Sequence, residues 1–245
     1  MNPARYNVLD VRVSALTLKN ATAWITDSNR GYVCVTGVNG VIASQYDPAL
    51  LQIHNQAALV TPDGMPLVWL GPPGVSRVYG PDLLLSVCDT GRHSDLRHYF
   101  YGGAKGMADK LAQRLQNLFP GLHVCSTFTP PFRPLDSTEL VALQADVARC
   151  QPDIVWVGLS TSKQERFMAE NHARLQCKLM IGVDAAFDFH TGRIKQAPRW
   201  IQRSGFEWLY RLSQDPRRLA PRYLRNNPRF IWLLLTQKLR RRTSE

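Results

Sequence analysis

Asp63, an acidic residue at the end of a short apolar run, has the chemistry of a general base. It follows Val60 and Thr61 in a segment whose composition predicts a short strand. In an open α/β sheet, ligands bind beyond the carboxyl ends of the strands, where a carboxylate can take a proton from a hydroxyl group. The alternative is that Pro62, Asp63 and Gly64 only form a tight turn. The residues alone favour the turn.

A glycine-rich segment could bind a phosphate. Gly102 and Gly103 follow a predicted strand and precede Lys105 at the start of a predicted helix. Glycines let a ligand approach the backbone, and the free amides of a helix start attract anions. A plain connection between strand and helix is an equally good interpretation.

Polar residues after position 158 open another predicted helix, and Gln164 lies among them. Hydroxyl groups, an amide and a lysine at a helix start could bind a sugar or a phosphate. Ser162 and Glu165 also have the spacing of a capping box. The two interpretations are compatible.

Two aspartates four positions apart, Asp184 and Asp188, follow the last apolar run. They could hold the hydroxyl groups of a ribose or another sugar, or they could close a turn. The sequence contains no Asp-x-Asp pair, no CxxC and no HExxH, which are common metal-binding patterns. We therefore predict no metal site, so that cationic side chains would have to hold any phosphate.

Arginine provides such cations near the end of the chain. Residues 1–190 hold 16 basic and 16 acidic side chains, whereas residues 191–245 hold 14 basic and 3 acidic ones and so carry the whole net charge of +11. Seven arginines, including Arg211 and Arg218, lie between positions 199 and 225. Guanidinium groups bind phosphate oxygens in a planar fork. The expected partner is nucleic acid, anionic lipid or a phosphate-bearing substrate.

The rest of the pattern predicts the scaffold for these residues. Apolar runs at 32–38, 59–61, 98–101, 123–126, 153–158 and 178–183 read as strands. Helical periodicity occurs at 105–119, after 136, and at about 162–175. This alternation predicts an α/β fold with a Rossmann-like, mostly parallel sheet and helices on both faces. A length of 245 residues, 44% of them hydrophobic, suffices for a full core.

The character of the chain changes at residue 192. Residues 192–245 lack a strand pattern and mix prolines and arginines with large aromatic side chains. We predict a core of residues 1–191 and an arginine-rich helical C-terminal appendage of residues 192–245, with helices at about 199–213, 217–225 and 228–241. Arginine mixed with tryptophan and tyrosine is typical of a membrane interface. A solvated helical face is the alternative.

The cysteines and apolar runs indicate the compartment. Five cysteines, an odd number, lie mostly in apolar surroundings, which predicts reduced thiols in a cytosolic protein. The first residues lack the pattern of a signal peptide. The apolar run at 230–235 has six residues, whereas a spanning helix needs about 20. We expect a cytoplasmic protein that does not cross a membrane but can lie on one.

Six ordered blocks resemble the WecG/TagA/CpsF family of bacterial glycosyltransferases over roughly residues 8–235. They are 61–69 (TPDGMPLVW), 78–83 (VYGPDL), 101–103 (YGG), 163–165 (KQE), 182–189 (GVDAAFDF), and 197–203 (APRWIQR) followed by 205–211 (GFEWLYR). Two positions depart from the family pattern. Ser162 stands where the family usually has proline, and Asp184 stands where it commonly has glycine.

The resemblance implies transfer of a sugar from a UDP-sugar donor to a sugar on a polyprenyl diphosphate, on the inner face of the cell membrane, in cell-surface or exopolysaccharide assembly. It implies that Asp63 is the catalytic base and that Gln164 lies in the pocket. Thr36 is the candidate for a pocket threonine after the first core strand, with Asn39 nearby. The appendage is expected to close over the diphosphate and to contact an anionic membrane surface.

The mechanism that we expect is inverting and needs no cofactor. Asp63 deprotonates an acceptor hydroxyl, which attacks the anomeric carbon. The groups expected to meet the charge of the leaving diphosphate are the amides of Gly102 and Gly103 and the side chains of Arg211 and Arg218. The remaining residues expected to bind substrate are Lys105, Gln164 and Asp184.

Two other function classes fit parts of the sequence. A soluble α/β protein whose basic tail binds nucleic acid would show binding that weakens steeply with salt. Aromatic residues interleaved with arginine fit a lipid interface better, so we expect no nucleic acid partner. A soluble nucleotide-dependent enzyme without a lipid substrate is the third class. A homo-oligomer is compatible with the sequence, which leaves the donor sugar, the acceptor sugar and the oligomeric state open.

Overall fold

A computed structural model describes residues 3–27 and 30–242. Its strands are β1 (Arg5–Val8), β2 (Val11–Ser14), β3 (Gly31–Thr36), β4 (Leu59–Pro62), β5 (Arg97–Gly102), β6 (His123–Phe128), β7 (Ile154–Gly158) and β8 (Leu179–Gly182). Its helices are α1 (Leu18–Thr26), α2 (Val38–Tyr46), α3 (Pro48–Gln56), α4 (Met65–Trp69), α5 (Gly80–Gly91), α6 (Met107–Leu118), α7 (Ser137–Cys150), α8 (Lys163–Asn171), α9 (Ala186–His190), α10 (Arg199–Ser204), α11 (Glu207–Gln214) and α12 (Pro216–Arg242). Within these ranges, no helix has both the length and the apolar character needed to span a bilayer.

Six strands form one sheet in the order β4-β3-β8-β7-β5-β6, and every pairing in it is parallel. Each of the six runs predicted as a strand contributes one strand to this sheet. The hairpin of β1 and β2 is separate and antiparallel, and the sequence did not predict it. The predicted α/β class with a Rossmann-like parallel sheet is confirmed.

Helices cover both faces of the sheet, as predicted, because β3, β4, β7 and β8 are apolar and buried on both sides. In β7, the side chain of Trp156 packs into one core with α5, α6 and α9. Its neighbours Val155 and Val157 pack into a second core with α2, α7 and α8. The pleat sends successive side chains to opposite faces. A strand buried on both faces is therefore a continuous apolar run, which is how β7 appears in the sequence.

Side-chain caps fix the start of two helices. Asp136 and Glu139 accept each other's backbone N–H, both at 2.9 Å, so that Asp136 caps α7. At α8, the Glu165 carboxylate accepts the N–H of Ser162, as predicted for a capping box. These contacts set where each helix leaves the sheet.

The appendage is helical as predicted, but its helices have other bounds. The predicted helix at 199–213 is divided into α10 and α11, because Gly205 has a left-handed backbone (φ +81°) that ends α10. The helices predicted at 217–225 and 228–241 are wrong as separate elements, since they form the single helix α12 with Pro221 and Pro228 inside it. Interior prolines weaken a helix. Burial of Leu219 and Phe230 against the rest of the protein offsets that cost.

Polar contacts also join the appendage to the core residues. Arg199 in α10 pairs with Asp82 in α5 at 2.6 Å. In α12, the amide of Asn226 donates a hydrogen bond to the side-chain oxygen of Asn39 at 3.0 Å. The helices of the appendage are thereby held over the carboxyl ends of the strands.

Candidate active site

A cavity of about 630 Å³ lies at the carboxyl ends of β3, β4 and β8, under α10, α11 and α12. Its volume is in the range of small-molecule sites. Thr36 ends β3, Asp63 directly follows β4, and Asp184 follows β8 by two residues. All three line the cavity, together with Asn39 and Arg211. Five residues predicted to act at a site, from distant parts of the chain, thus meet in one place.

Two hydrogen bonds, one of its backbone and one of its side chain, hold Asp63 at the end of β4. Its N–H donates to the carbonyl of Thr36 at 3.0 Å, and its Oδ1 accepts the N–H of Gly80 at 3.2 Å. Burial raises the pKa of the Asp63 carboxyl to about 6; the Arg77 guanidinium opposes this shift, and the Glu207 carboxylate adds to it. A carboxylate with a pKa close to neutral, in a cavity, has the properties of a general base.

Arg77 and Glu207 form a buried ion pair beside this base. The pair measures 2.6 Å, and the side chains are 15% and 10% exposed. Arg77 also donates through Nε to the backbone carbonyl of Asp63, and its guanidinium lies 4.0 Å from the centre of the Tyr79 ring. The sequence did not predict a role for Arg77 or Glu207. Arg77 directly precedes the block at 78–83, and Glu207 lies within the block at 205–211. Their place in these blocks was the signal in the sequence that could have pointed to them.

Gln164 lies behind the cavity wall and connects two acidic residues. Its Oε1 accepts the N–H of Asp184 at 3.0 Å, and its Nε2 donates to the Glu165 carboxylate at 3.1 Å. Burial raises the pKa of Glu165 to about 7, although the hydrogen bond from Gln164 opposes this. Both Glu165 and Asp184 line the cavity, while Gln164 holds them in place.

The two positions that depart from the family pattern both have a positive φ angle. Asp184 has φ +46° and Ser162 has φ +68°. Aspartate tolerates a positive φ better than most residues other than glycine, which agrees with the glycine that the resemblance implies at this position. A proline at 162 could not adopt the observed angle, because its ring holds φ near −65°. The loop before α8 therefore has its own backbone conformation in this chain.

Arg211 is the cation of the appendage that lines the cavity. Its guanidinium lies 5.5 Å from the centre of the Phe189 ring. Burial lowers the pKa of Arg211, but the neighbouring Tyr223 and Asp184 raise it above the ordinary value. Arg211 is therefore a permanent positive charge in the cavity, suited to an anionic ligand.

Two hydroxyl groups in the cavity wall lack partners. Thr36 Oγ1 and the Tyr79 hydroxyl are buried and have no hydrogen bond among the described residues. Buried polar groups are almost always hydrogen-bonded in native proteins. These two hydroxyls therefore have unused hydrogen-bonding capacity beside the cavity.

The glycine-rich turn does not reach the cavity wall. The amide of Gly103 donates to the carbonyl of Gly158 at 3.0 Å, and a Cβ at Gly102 would lie 2.5 Å from that carbonyl oxygen. Helix α6 begins at Met107, so the prediction that Gly102 and Gly103 supply its first amides is wrong. These glycines allow β5 to approach β7 closely. Lys105 is exposed in the same turn, away from the lining residues.

Arg218 also lies outside the cavity wall. Its guanidinium pairs with Asp215 one turn earlier, and its side chain is 58% exposed. The two arginines that were expected to act together thus have different surroundings. Among the described residues, no group of three or more His, Cys, Asp or Glu side chains could hold a metal ion.

Comparison with known proteins identifies relatives along the whole chain. A N-acetylglucosaminyldiphosphoundecaprenol N-acetyl-beta-D-mannosaminyltransferase of Bacillus spizizenii strain W23 is 28% identical over 237 residues, which are 94% of this chain and 89% of the relative. A protein of the same name from Bacillus subtilis strain 168 is 25% identical over 80% of each chain. A third, from Staphylococcus aureus strain MRSA252, is 23% identical over 97% of this chain and 94% of its own.

The family pattern covers the core, the cavity and the appendage together. The profile described as "Glycosyl transferase WecG/TagA/CpsF family" matches residues 6–244. That range includes the three strand ends of the cavity and the appendage residue Arg211. The chain is therefore a glycosyltransferase and belongs to the WecG/TagA/CpsF family.

Proposed function

We propose that this protein is an inverting glycosyltransferase that moves a sugar from a UDP-sugar donor to a sugar on a polyprenyl diphosphate, on the inner face of the cell membrane. The observation that supports this most is Asp63, a carboxyl of raised pKa in a cavity that also contains Arg211. The relatives are named for transfer to N-acetylglucosaminyldiphosphoundecaprenol, which is such an acceptor. The product would enter a cell-surface polymer.

In the proposed reaction, Asp63 accepts the proton of the acceptor hydroxyl while the hydroxyl oxygen bonds to the anomeric carbon of the donor. The bond from that carbon to the diphosphate oxygen breaks, and its electron pair leaves with UDP. Attack from the face opposite UDP inverts the anomeric centre. A base with a pKa of about 6 is mostly ionised at neutral pH and still accepts a proton effectively.

The leaving diphosphate needs positive charge in its transition state. Arg211 provides it in our proposal, with a guanidinium that is already in the cavity wall before substrate binds. The free hydroxyls of Thr36 and Tyr79 are further donors for phosphate or sugar oxygens. With these groups, the mechanism that we propose requires no metal ion.

We propose that residues 1–191 are the glycosyltransferase core and supply the base, and that the appendage contacts the diphosphate through Arg211 and also holds the protein on an anionic membrane. The large apolar side chains exposed on the appendage are Trp200, Phe206, Leu209, Leu224, Ile231, Trp232 and Leu235. Three of them, Phe206, Ile231 and Leu235, also line the cavity. A lipid-linked acceptor could therefore pass from the bilayer into the cavity along an apolar surface.

Removal of exposed tryptophans is expected to weaken membrane binding. Trp200 is 72% exposed and Trp232 is 62% exposed. We expect Trp200→Ala and Trp232→Ala each to lower partition into vesicles with anionic lipid by roughly tenfold, because a tryptophan ring buries a large apolar area at the headgroup level. The matched control is Phe132→Ala, since Phe132 is 95% exposed outside the appendage. Equal loss in the control, by vesicle co-sedimentation, would contradict the proposal.

A donor panel tests the function itself. The acceptor is N-acetylglucosamine on a polyprenyl diphosphate, and the donors are UDP-linked N-acetylmannosamine, its uronic acid and glucose, each with and without EDTA. We expect transfer from UDP-N-acetylmannosamine, the sugar for which the relatives are named, at a rate that EDTA leaves unchanged. If no donor gives a lipid-linked product, the proposed function is wrong. Strong inhibition by EDTA would refute only the metal-free mechanism.

A further inference from the structure

Glu207 is a buried carboxylate for which the proposed reaction has no role. It lies in the first turn of α11 and is 7% exposed. Its partner Arg77, at 2.6 Å, is almost as enclosed. A buried ion pair contributes little to stability on average, because removing two charges from water is costly. Its position in the cavity wall therefore suggests a function other than stability.

Arg77 connects three elements through different edges of one guanidinium group. Nε donates to the backbone carbonyl of Asp63 in the core. One terminal nitrogen pairs with Glu207 in α11, and the other donates to the carbonyl of Gln202 in α10 at 3.4 Å. The face of the group lies over Tyr79. The backbone that carries the proposed base is thus linked to two helices of the appendage.

We propose that Glu207 is a positioning residue for sugar transfer. With α11 packed over the cavity, Glu207 fixes the Arg77 guanidinium, and Arg77 in turn keeps Asp63 in its reactive position and charge environment. This inference rests on the proposed function, in which Asp63 is the base. Glu207 acts through Arg77 and takes no proton itself. The appendage therefore completes the site by supplying a negative charge as well as Arg211.

The charges around the base are balanced. The charged and titratable side chains that face Asp63 or Glu207 are Arg77, Tyr79, Arg211 and Tyr223, with Asp184 and Arg222 beyond them. Without the negative charge of Glu207, the positive charges of Arg77 and Arg211 act on Asp63 with no opposing charge from α11. Positive neighbours lower the pKa of a carboxyl, and a carboxylate of lower pKa is a weaker base.

The test is the pH profile of transfer by Glu207→Gln in the full-length protein, with vesicles that contain the lipid-linked acceptor. We expect kcat to fall by roughly tenfold to a hundredfold, as for a base that is slightly misplaced, with KM for the donor changed by less than about twofold. We also expect the acid limb of kcat to move to lower pH by up to about one unit. The matched control is Asp215→Asn, an exposed carboxylate of the same appendage that pairs with Arg218. It is expected to behave as wild type.

A second variant separates positioning from folding. Glu207→Asp keeps the charge with a shorter side chain, so its acid limb is expected at the wild-type pH even if kcat stays lower. If both variants reduce the melting temperature and the active fraction without moving the acid limb, Glu207 is only structural and the inference is overturned. An unchanged kcat in Glu207→Gln also overturns it. The same assay measures the wild-type protein, and a lack of transfer activity in wild type would refute the proposed function and not only the role of Glu207.

Discussion

Asp63→Asn is expected to lower the rate of sugar transfer by about 10²–10⁴-fold, because the acceptor hydroxyl loses the base that takes its proton. Asparagine has nearly the same size and keeps an oxygen that can accept the N–H of Gly80. The cavity should therefore keep its shape, and UDP should bind with an affinity within about threefold of wild type. Transfer to the lipid-linked acceptor and calorimetric titration with UDP measure the two quantities.

The stability of this variant distinguishes a lost base from a damaged fold. The pKa of Asp63 is about 6 in the folded protein, above the value near 4 of an unfolded chain. Ionisation of Asp63 therefore costs folding free energy as pH rises from about 4 to about 6, and the cost persists at higher pH. Asparagine removes it, so the melting temperature at pH 7 should be equal or higher.

An aspartate outside the cavity gives the control for this prediction. Asp188 pairs with Arg193 at 3.3 Å and does not line the cavity. Asp188→Asn is expected to transfer sugar at a rate close to that of wild type. Wild-type rates in Asp63→Asn would exclude Asp63 as the base, and a lower melting temperature would attribute its inactivity to the fold.

Arg211→Gln is expected to have the second largest effect, a loss of about 10²–10³-fold in kcat. Arg211 is a permanent cation in the cavity wall, and such a group stabilises the charge that develops on the departing diphosphate. UDP affinity should fall as well, because the same guanidinium meets the ground-state diphosphate. Steady-state kinetics and UDP titration together separate the two losses.

Arg218→Gln is the matched control, since it removes the same charge from the same appendage. Arg218 is exposed and already paired with Asp215. We expect its kcat and UDP affinity to remain within about twofold of wild type, as for most exposed ion pairs. Equal losses in both variants would show that net charge, and not the position of Arg211, determines the rate.

The strands and the ends of the strands could be predicted from the sequence. The short apolar run that ends at Gly158 predicts a strand buried on both faces, because such runs are typical of the parallel sheet of an α/β protein. Asp63 and Asp184 were each predicted to follow a strand, and because parallel strands end at one edge of the sheet, both lie at that edge. Local pattern and sheet geometry predict where these residues lie, whereas the role of Asp63 came from the family resemblance, because its local sequence alone favoured a turn.

Contacts between distant segments could not be predicted in the same way. The pairing of Arg77 with Glu207 depends on how α11 packs over the cavity, which no local spacing encodes. The continuity of α12 is a similar case, since Pro221 and Pro228 favour a break whereas the burial of Leu219 and Phe230 favours one helix. In both cases tertiary packing outweighs local preference.

The loop before α8 links the two positions that depart from the family pattern, Ser162 and Asp184. Ser162 holds Glu165 by its N–H, and Gln164 joins Glu165 to the backbone of Asp184. The two residues that differ from the family pattern are thus neighbours in one hydrogen-bonded chain. A proline at 162 would remove the donor to Glu165, and a glycine at 184 would remove a negative charge that raises the pKa of Glu165. The two positions are therefore coupled through Glu165, so the effects of Ser162→Pro and Asp184→Gly on stability are expected to be non-additive in a double-mutant cycle.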